Sequence, residues 1–190
     1  MKLPRIITLL VVSVLLYNCS SGDDFLVAKN KVGKITNKNT VLDIASIFAN
    51  DSIVTHMSEG NLGNEESELI QDNDEFLIYS KEGKHLLTIV PRNPQDSTSA
   101  IKYIEVFDPL FKTDEEISLM SPFKDVNLHY MIDKVETSLS SATLYIDELN
   151  ATLAIDKREL GMGSMGMEPI SVEQIPDLAK IKSMTIWFEE

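Results

Sequence analysis

Four groups of side chains could take part in catalysis, metal binding or covalent modification: one cysteine, three histidines, three clustered methionines and an acidic run. The cysteine is Cys19, and since no second cysteine exists it can form no disulfide within the chain. A lone thiol near the start of a chain can instead be acylated. The residues that precede Cys19 indicate whether it is acylated.

The segment before Cys19 has the pattern of a secretory signal. Basic residues precede an apolar run from Ile6 to Leu16, which is too short for a membrane span of about 20 residues. The order Leu16, Tyr17, Asn18, Cys19 is similar to the motif at which bacterial lipoproteins are cleaved and acylated, although positions 17 and 18 usually hold smaller residues. We expect Cys19 to carry lipid. The alternative is a plain signal peptide with an incidental cysteine.

The methionines stand among glycines in residues 161–167. Thioethers of Met162, Met165 and Met167 could bind Cu(I). They could equally form an adaptable apolar contact for a partner, or fold back onto the core as filler. They are the candidate metal ligands of this chain, but we predict neither a metal nor a cofactor.

The remaining polar candidates do not form a recognisable catalytic pattern. His56, His85 and His129 lack metal-ligand spacing, and no G-x-S-x-G sequence marks a serine nucleophile. Residues 72–75 are rich in oxygen ligands, but position 12 counted from Asp72 is Gly83 rather than the Glu of a calcium loop. We predict a solvated acidic loop there, no catalytic residue and no enzymatic activity.

Charge and length limit the class of protein. None of the 30 acidic residues lies in the predicted signal, whereas two of the 17 basic residues do, so residues 19–190 carry a net charge of −15. A chain this acidic is repelled by nucleic acid. Its 172 residues fit one domain with a substantial core. We divide the chain into a signal peptide (1–18), a lipidated tether (19–30) and one domain (31–190).

The pattern of apolar residues predicts an α+β domain with mainly antiparallel sheets. One amphipathic helix is predicted from Thr40 to about Asn50 with Asn39 as its cap, and a second is predicted to begin at Ser121-Pro122. The other segments form strands: residues 52–57, 75–80 and 85–91, 101–107, 134–147 and 151–156, and 181–188. Residues 101–107 carry apolar side chains on both faces and should form a central strand.

The two predicted helices resemble each other at an offset of 82 residues. Ile35 corresponds to Ile117, Asn39 to Ser121 and Asp43 to Asp125, and the apolar positions of each helix follow at the same spacing. This pattern suggests a duplicated strand–helix–strand unit. The alternative is that two capped amphipathic helices are alike by chance.

Several segments, in this order, are similar to those of a known family. They are residues 32–36, 101–108, 117–125 and 175–187, with Ile117, Leu119, Ser121-Pro122 and Met184-x-Ile186-Trp187 as their most distinctive positions. The set resembles the sigma-E-regulated (RpoE-regulated) lipoprotein family, whose members typically have Gly where this chain has Met120. The resemblance implies an envelope location and an α+β fold, and it carries over no catalytic residue.

These observations predict a non-enzymatic lipoprotein of the bacterial cell envelope, held at the outer membrane by the lipid on Cys19. We expect its partners to be the membrane, reached through that lipid, and a protein or other component of the envelope. The alternative is a small-ligand or Cu(I) binder that uses the Gly/Met loop or a cleft between sheet and helix.

Overall fold

The computed structural model describes residues 23–58, 73–161 and 169–189. Within these ranges the chain forms two α-helices and twelve strands, which confirms the α+β class. The helices are α1 (Val41–Ile47) and α2 (Phe123–His129). The strands are β1 (Leu26–Ala28), β2 (Lys31–Val32), β3 (Ile35–Thr36), β4 (Ser52–His56), β5 (Glu75–Tyr79), β6 (His85–Pro91), β7 (Ile101–Val106), β8 (Lys112–Thr113), β9 (Lys134–Thr137), β10 (Ser141–Ile146), β11 (Ala151–Asp156) and β12 (Ile181–Trp187).

The strands form two sheets. The large sheet has eight antiparallel strands in the order β4-β5-β6-β7-β12-β11-β10-β9. The small sheet has the order β3-β2-β1-β8, and its β1–β8 pair is parallel, with Leu26 opposite Lys112. Residues 23–30, which the sequence analysis assigned to the tether, therefore include a 3-10 turn (Asp23–Phe25) and a strand. No helix in the described ranges is long and apolar enough to cross a bilayer.

One apolar core lies between the large sheet and the elements on its inner face. Side chains alternate along the strands, so β10 and β11 bury every second residue. The same cluster includes Ile44 of α1, Val126 of α2 and Val27 of β1. Strand β7 is central, as predicted, but only its inner face is fully buried: the outward Tyr103 and Glu105 are half-buried. The helices and the small sheet pack on the inner face, which leaves the other face of β7 less covered.

Each helix begins one residue later than predicted, for the same reason in both. The Asn39 side chain accepts a hydrogen bond from the Thr36 N–H (2.9 Å), and Ser121 Oγ accepts one from the Ser118 N–H (3.0 Å). These side chains close the turn before the helix, so the cap positions are Thr40 and Pro122. The predicted caps are wrong by one residue, but Asn39 and Ser121 do occupy equivalent positions, because each bonds to the N–H of the residue three positions before it.

Matching hydrogen bonds support the repeat and extend the correspondence beyond a strand–helix–strand unit. The N–H of the first residue of α1 bonds to Ser99 O, and the N–H of the first residue of α2 bonds to Ala179 O. The β6–β7 pair has a register shift between Val90 and Pro91, and the β11–β12 pair has one between Ala154 and Ile155. The helix, the four strands and this register shift correspond, so each half is a helix followed by four strands; a further shift in the β5–β6 pair, between Ile78 and Tyr79, has no counterpart in the β10–β11 pair.

The two halves meet at the centre of the large sheet. Residues of β7 correspond to residues of β12 at an offset of 80, and these two strands pair antiparallel. Glu105 lies opposite Thr185, and Ile104 lies opposite Ile186. A pseudo-twofold axis therefore passes between Glu105 and its own counterpart, Thr185.

Candidate functional site

Glu105 lies at the centre of the outer face of the large sheet. Strand β7 turns its aliphatic side chains into the core and presents Tyr103 and Glu105 on the opposite face, and Phe107, the residue after the strand, continues this alternation. The neighbours of Glu105 in register are Thr88 of β6 and Thr185 of β12. A carboxylate thus stands among hydroxyl groups at the point where the two halves of the domain join.

The surroundings of Glu105 disfavour its charge. Burial raises the pKa of this carboxyl, and the negative charge of Glu75 raises it further. No hydrogen bond links the Glu105 carboxylate to another side chain or backbone group in the part of the chain that the structure describes. A half-buried acceptor without such a bond gains from any ligand that supplies a hydrogen-bond donor or a positive charge.

A stack of three rings borders Glu105 at one end of β7. The His85 ring lies between Phe107, at 4.1 Å between ring centroids, and Tyr79, at 4.9 Å. His85 Nε2 lies 3.1 Å from Thr88 Oγ1 and 3.1 Å from the Leu87 carbonyl oxygen. Burial lowers the pKa of His85, so the ring is neutral near pH 7 and behaves as part of an aromatic surface.

A second pair of rings borders Glu105 at the other end. Tyr103 and Trp187 lie 4.8 Å apart between centroids, and the Trp187 Nε1–H donates to Thr152 Oγ1 at 3.2 Å. Trp187 is the counterpart of Phe107 in the repeat, and both rings are more than a third exposed. Tyr103 and Phe107 are four residues apart on one strand, about 13 Å. We call this surface the outer platform; its members are Tyr79, His85, Tyr103, Glu105, Phe107 and Trp187.

An apolar cleft lies where the N-terminal segment meets α1. Phe25, Phe48, Phe111 and Leu86 contribute to its lining, and its volume is about 110 Å³. An ion pair between Lys34 Nζ and Asp24 (3.2 Å) stands at the cleft. This N-terminal cleft is a sheet–helix cleft of the kind that the sequence analysis named as an alternative binding site.

The backbone at the N-terminal cleft depends on one glycine. Gly33 has φ +56°, in the left-handed region that favours glycine. A Cβ atom there would lie 2.5 Å from Asp24 O and 3.2 Å from a Phe111 ring carbon. The close approach of the backbone at Gly33 to the backbone at Asp24 therefore shapes the wall of the cleft.

Asp74, from the acidic run, is a structural residue. Its Oδ1 accepts the Ser58 N–H at 2.8 Å and its Oδ2 accepts the Gln95 N–H at 2.6 Å. Burial raises the pKa of Asp74, but these hydrogen bonds outweigh it and hold the pKa below its ordinary value. Asp72 lies outside the described residues. Asp74 ties the ends of two loops together, a role that its sequence position did not reveal.

The other predicted site residues are dispersed or fall outside the described ranges. Cys19, Met162, Met165 and Met167 lie outside them, so the lipidation and copper predictions stay predictions. The other two histidines are not part of the ring stack, and each lies beside a glutamate. His129 Nδ1 is 2.8 Å from Glu115 Oε2, and His56 Nδ1 is 3.9 Å from Glu75 Oε2. Within the described residues, no three His, Cys, Asp or Glu side chains come together as a metal site.

Comparison with known proteins supports the fold and nothing finer. Neither a family of known sequences nor a curated protein matches the chain. The crystal structure of the uncharacterized protein yfeY from Escherichia coli is similar, with a TM-score of 0.53 and 13% sequence identity. The match covers 86% of this chain and 99% of yfeY. The chain thus shares the fold of an uncharacterized bacterial protein across almost the whole of that protein.

Proposed function

We propose that this protein is a lipid-anchored, non-enzymatic binding protein of the bacterial cell envelope and belongs to the sigma-E-regulated lipoprotein family. The signal-like segment that ends at Cys19 supports the anchor. The residues shared with that family, together with the fold in common with a bacterial protein, support the membership. The lipid places the domain at a membrane, and the outer platform supplies the surface that binds.

The observation that carries the binding role is the setting of Glu105. Its carboxylate is half-buried, its pKa is raised, and aromatic clusters stand on both sides of it. A ligand that donates a hydrogen bond to Glu105 while packing flat groups on Phe107 and Trp187 would relieve the unfavourable charge and cover the exposed rings. This combination suits reversible holding of an envelope protein or envelope component.

Crosslinking in cells tests the platform. The full chain with a photoreactive residue in place of Ser183, on strand β12 next to β7, should capture a reproducible envelope species. Replacing Glu105→Gln together with Trp187→Ala should reduce that capture at least about tenfold, the loss expected from truncating an interface anchor. The matched control is Leu139→Ala, because Leu139 is exposed on the far hairpin. Equal capture by all three proteins, or no reproducible species at all, contradicts the proposal.

The N-terminal cleft favours the alternative of a small-ligand binder. Its apolar lining would suit a small apolar molecule. A fluorescent apolar probe should then bind the wild-type protein and be lost from Leu86→Trp, which fills the cleft. In the copper form of this alternative, Cu(I) affinity should fall in a Met162, Met165 and Met167→Ala variant, and equal affinities would remove it.

A further inference from the structure

The point where the chain enters the domain is close to the predicted lipid. Four Cα–Cα steps separate Cys19 from Asp23, the first described residue. Four residues span at most about 14 Å even when fully extended. If Cys19 is acylated, the surface around Asp23–Phe25 must therefore lie within this distance of the headgroups, whichever way the rest of the domain points.

That surface carries exposed apolar side chains. Leu110 is 58% exposed and Phe25 is 36% exposed. Both flank Phe111, which is buried: Leu110 precedes it in the chain, and the Phe25 ring packs edge-on against it at 5.2 Å. Large apolar groups that stand out beside a lipid attachment point are suited to the boundary between headgroups and acyl chains.

The charges of the same surface are balanced, although the chain as a whole is strongly acidic. Lys34 pairs with Asp24 (3.2 Å) and Lys112 pairs with Glu116 (2.8 Å). Lys112 is opposite Leu26 in the small sheet, which places it beside the chain entry. The two lysine side chains are about half exposed. Exposed lysines can extend their ammonium groups toward lipid phosphates while their stems cover apolar surface.

We propose that this corner of the domain, marked by Phe25, Lys34, Leu110 and Lys112, rests directly on the phospholipid bilayer. The inference depends on the proposed acylation of Cys19. The tether length brings the corner to the membrane, the two apolar side chains enter the interface, and the lysines meet the phosphates. Repulsion from the acidic remainder of the protein turns the other surfaces away.

A domain that rests on this corner has a defined orientation on the membrane, which can be measured. Strand β6, whose first residues line the N-terminal cleft, and strand β9 are five positions apart in the large sheet, about 24 Å. Leu139 lies in the turn after β9 and is 61% exposed, which matches Leu110 in type and exposure. The two leucines thus form a paired test, with one at the membrane and one far from it.

The experiment uses the acylated full chain in vesicles of phosphatidylcholine and anionic phosphatidylglycerol that contain a headgroup-labelled quencher lipid. Separate variants Leu110→Cys, Lys34→Cys and Leu139→Cys carry a fluorophore on the new thiol, since the Cys19 sulfur is acylated. Quenching at positions 110 and 34 should be at least about twofold stronger than at 139, because groups at a membrane interface lie within about 5–10 Å of the headgroup boundary. Two probe positions ensure that one poorly folded variant does not decide the result.

The intact mass of each protein, measured before reconstitution, separates the two ways in which the proposal can fail. A chain that bears the acyl mass but shows equal quenching at all three positions overturns the orientation and leaves the anchor intact. A chain whose Cys19 is unmodified overturns the anchor, and the orientation with it.

Discussion

Glu105 lies directly opposite Thr185, and the two residues are counterparts in the repeat. At this position the duplicated halves face each other, so a difference in residue type breaks the symmetry at its axis. The flanking pair Thr88 and Thr152 has kept the same residue type in both halves. An unfavourable acid therefore stands at the centre of an otherwise matched row, which is why we assign it a binding role.

Replacing Glu105 with Gln should stabilise the fold near neutral pH. The pKa of Glu105 is raised in the folded state, so its charged form costs stability above that pKa, and the cost disappears as the pH falls and the carboxyl is protonated. We expect the free energy of unfolding of Glu105→Gln to exceed that of wild type by about 0.5 kcal/mol or more at pH 7. Urea denaturation at pH 7 and pH 4 measures it. A gain of the same size at both values would show that the charge is not its origin.

Asp74→Asn should act in the opposite direction. The pKa of Asp74 is lowered on folding, so its contribution to stability is present above the unfolded pKa of about 4 and is lost as the pH falls through the folded value. Loss of two charge-assisted hydrogen bonds should cost about 1–3 kcal/mol at pH 7 and much less at pH 3. Asp177→Asn, at an exposed position, is the control. A variant as stable as wild type at pH 7 would rule out the role we give Asp74 in tying the loops.

Gly33→Ala should destabilise the protein more than Gly83→Ala. Both glycines have positive φ, but a Cβ at Gly33 would collide with Asp24 O, whereas nothing lies within 4 Å of a Cβ at Gly83. Backbone strain alone should cost about 1 kcal/mol at Gly83, and the collision should bring the cost at Gly33 to about 2–3 kcal/mol. Thermal or urea unfolding compares the two. Equal costs would mean that the chain at Asp24 can move aside.

The repeat predicts matched effects at matched positions. Asn39→Ala and Ser121→Ala each remove the side chain that closes the turn before a helix, so each should lower the free energy of unfolding by about 0.5–1.5 kcal/mol. Lys38→Ala, next to the first of these turns and exposed, serves as the control. If only one of the two substitutions lowered the free energy of unfolding, the two turns would have the same geometry but would not contribute equally to stability.

Local patterns predicted most strands of the large sheet, because alternation and turn residues are local properties. The prediction of a single strand over residues 134–147 is wrong: the chain turns at 138–140 and forms two paired strands, β9 and β10. The β5–β6 hairpin forms as expected, with Gly83 at φ +80° in its turn. Helix α1 is shorter than expected: it ends at Ile47, and the Phe48 N–H caps it by bonding to Ile44 O, whereas the pattern suggested a helix up to Asn50. The apolar periodicity continues into the turn, and so it does not show where the chain leaves the helix.

Non-local features could not be predicted in the same way. Leu26–Ala28 looked like part of a tether because its partner, β8, lies more than eighty residues away and pairs with it in parallel. The outer platform was missed because apolar residues on both faces of 101–107 suggested a strand covered on both sides. The alternation of Tyr103, Glu105 and Phe107 was the available signal, but the ring neighbours His85 and Trp187 come from other strands.

The anchor at Cys19 is the claim on which the location, the orientation and the class of partner all depend. Mass spectrometry of the protein isolated from membranes of the bacterium that makes it tests this claim most directly. The account predicts a chain that begins at Cys19 and carries a diacylglycerol mass on that residue. A chain that retains residues 1–18, or one that begins near Cys19 with an unmodified thiol, would contradict it.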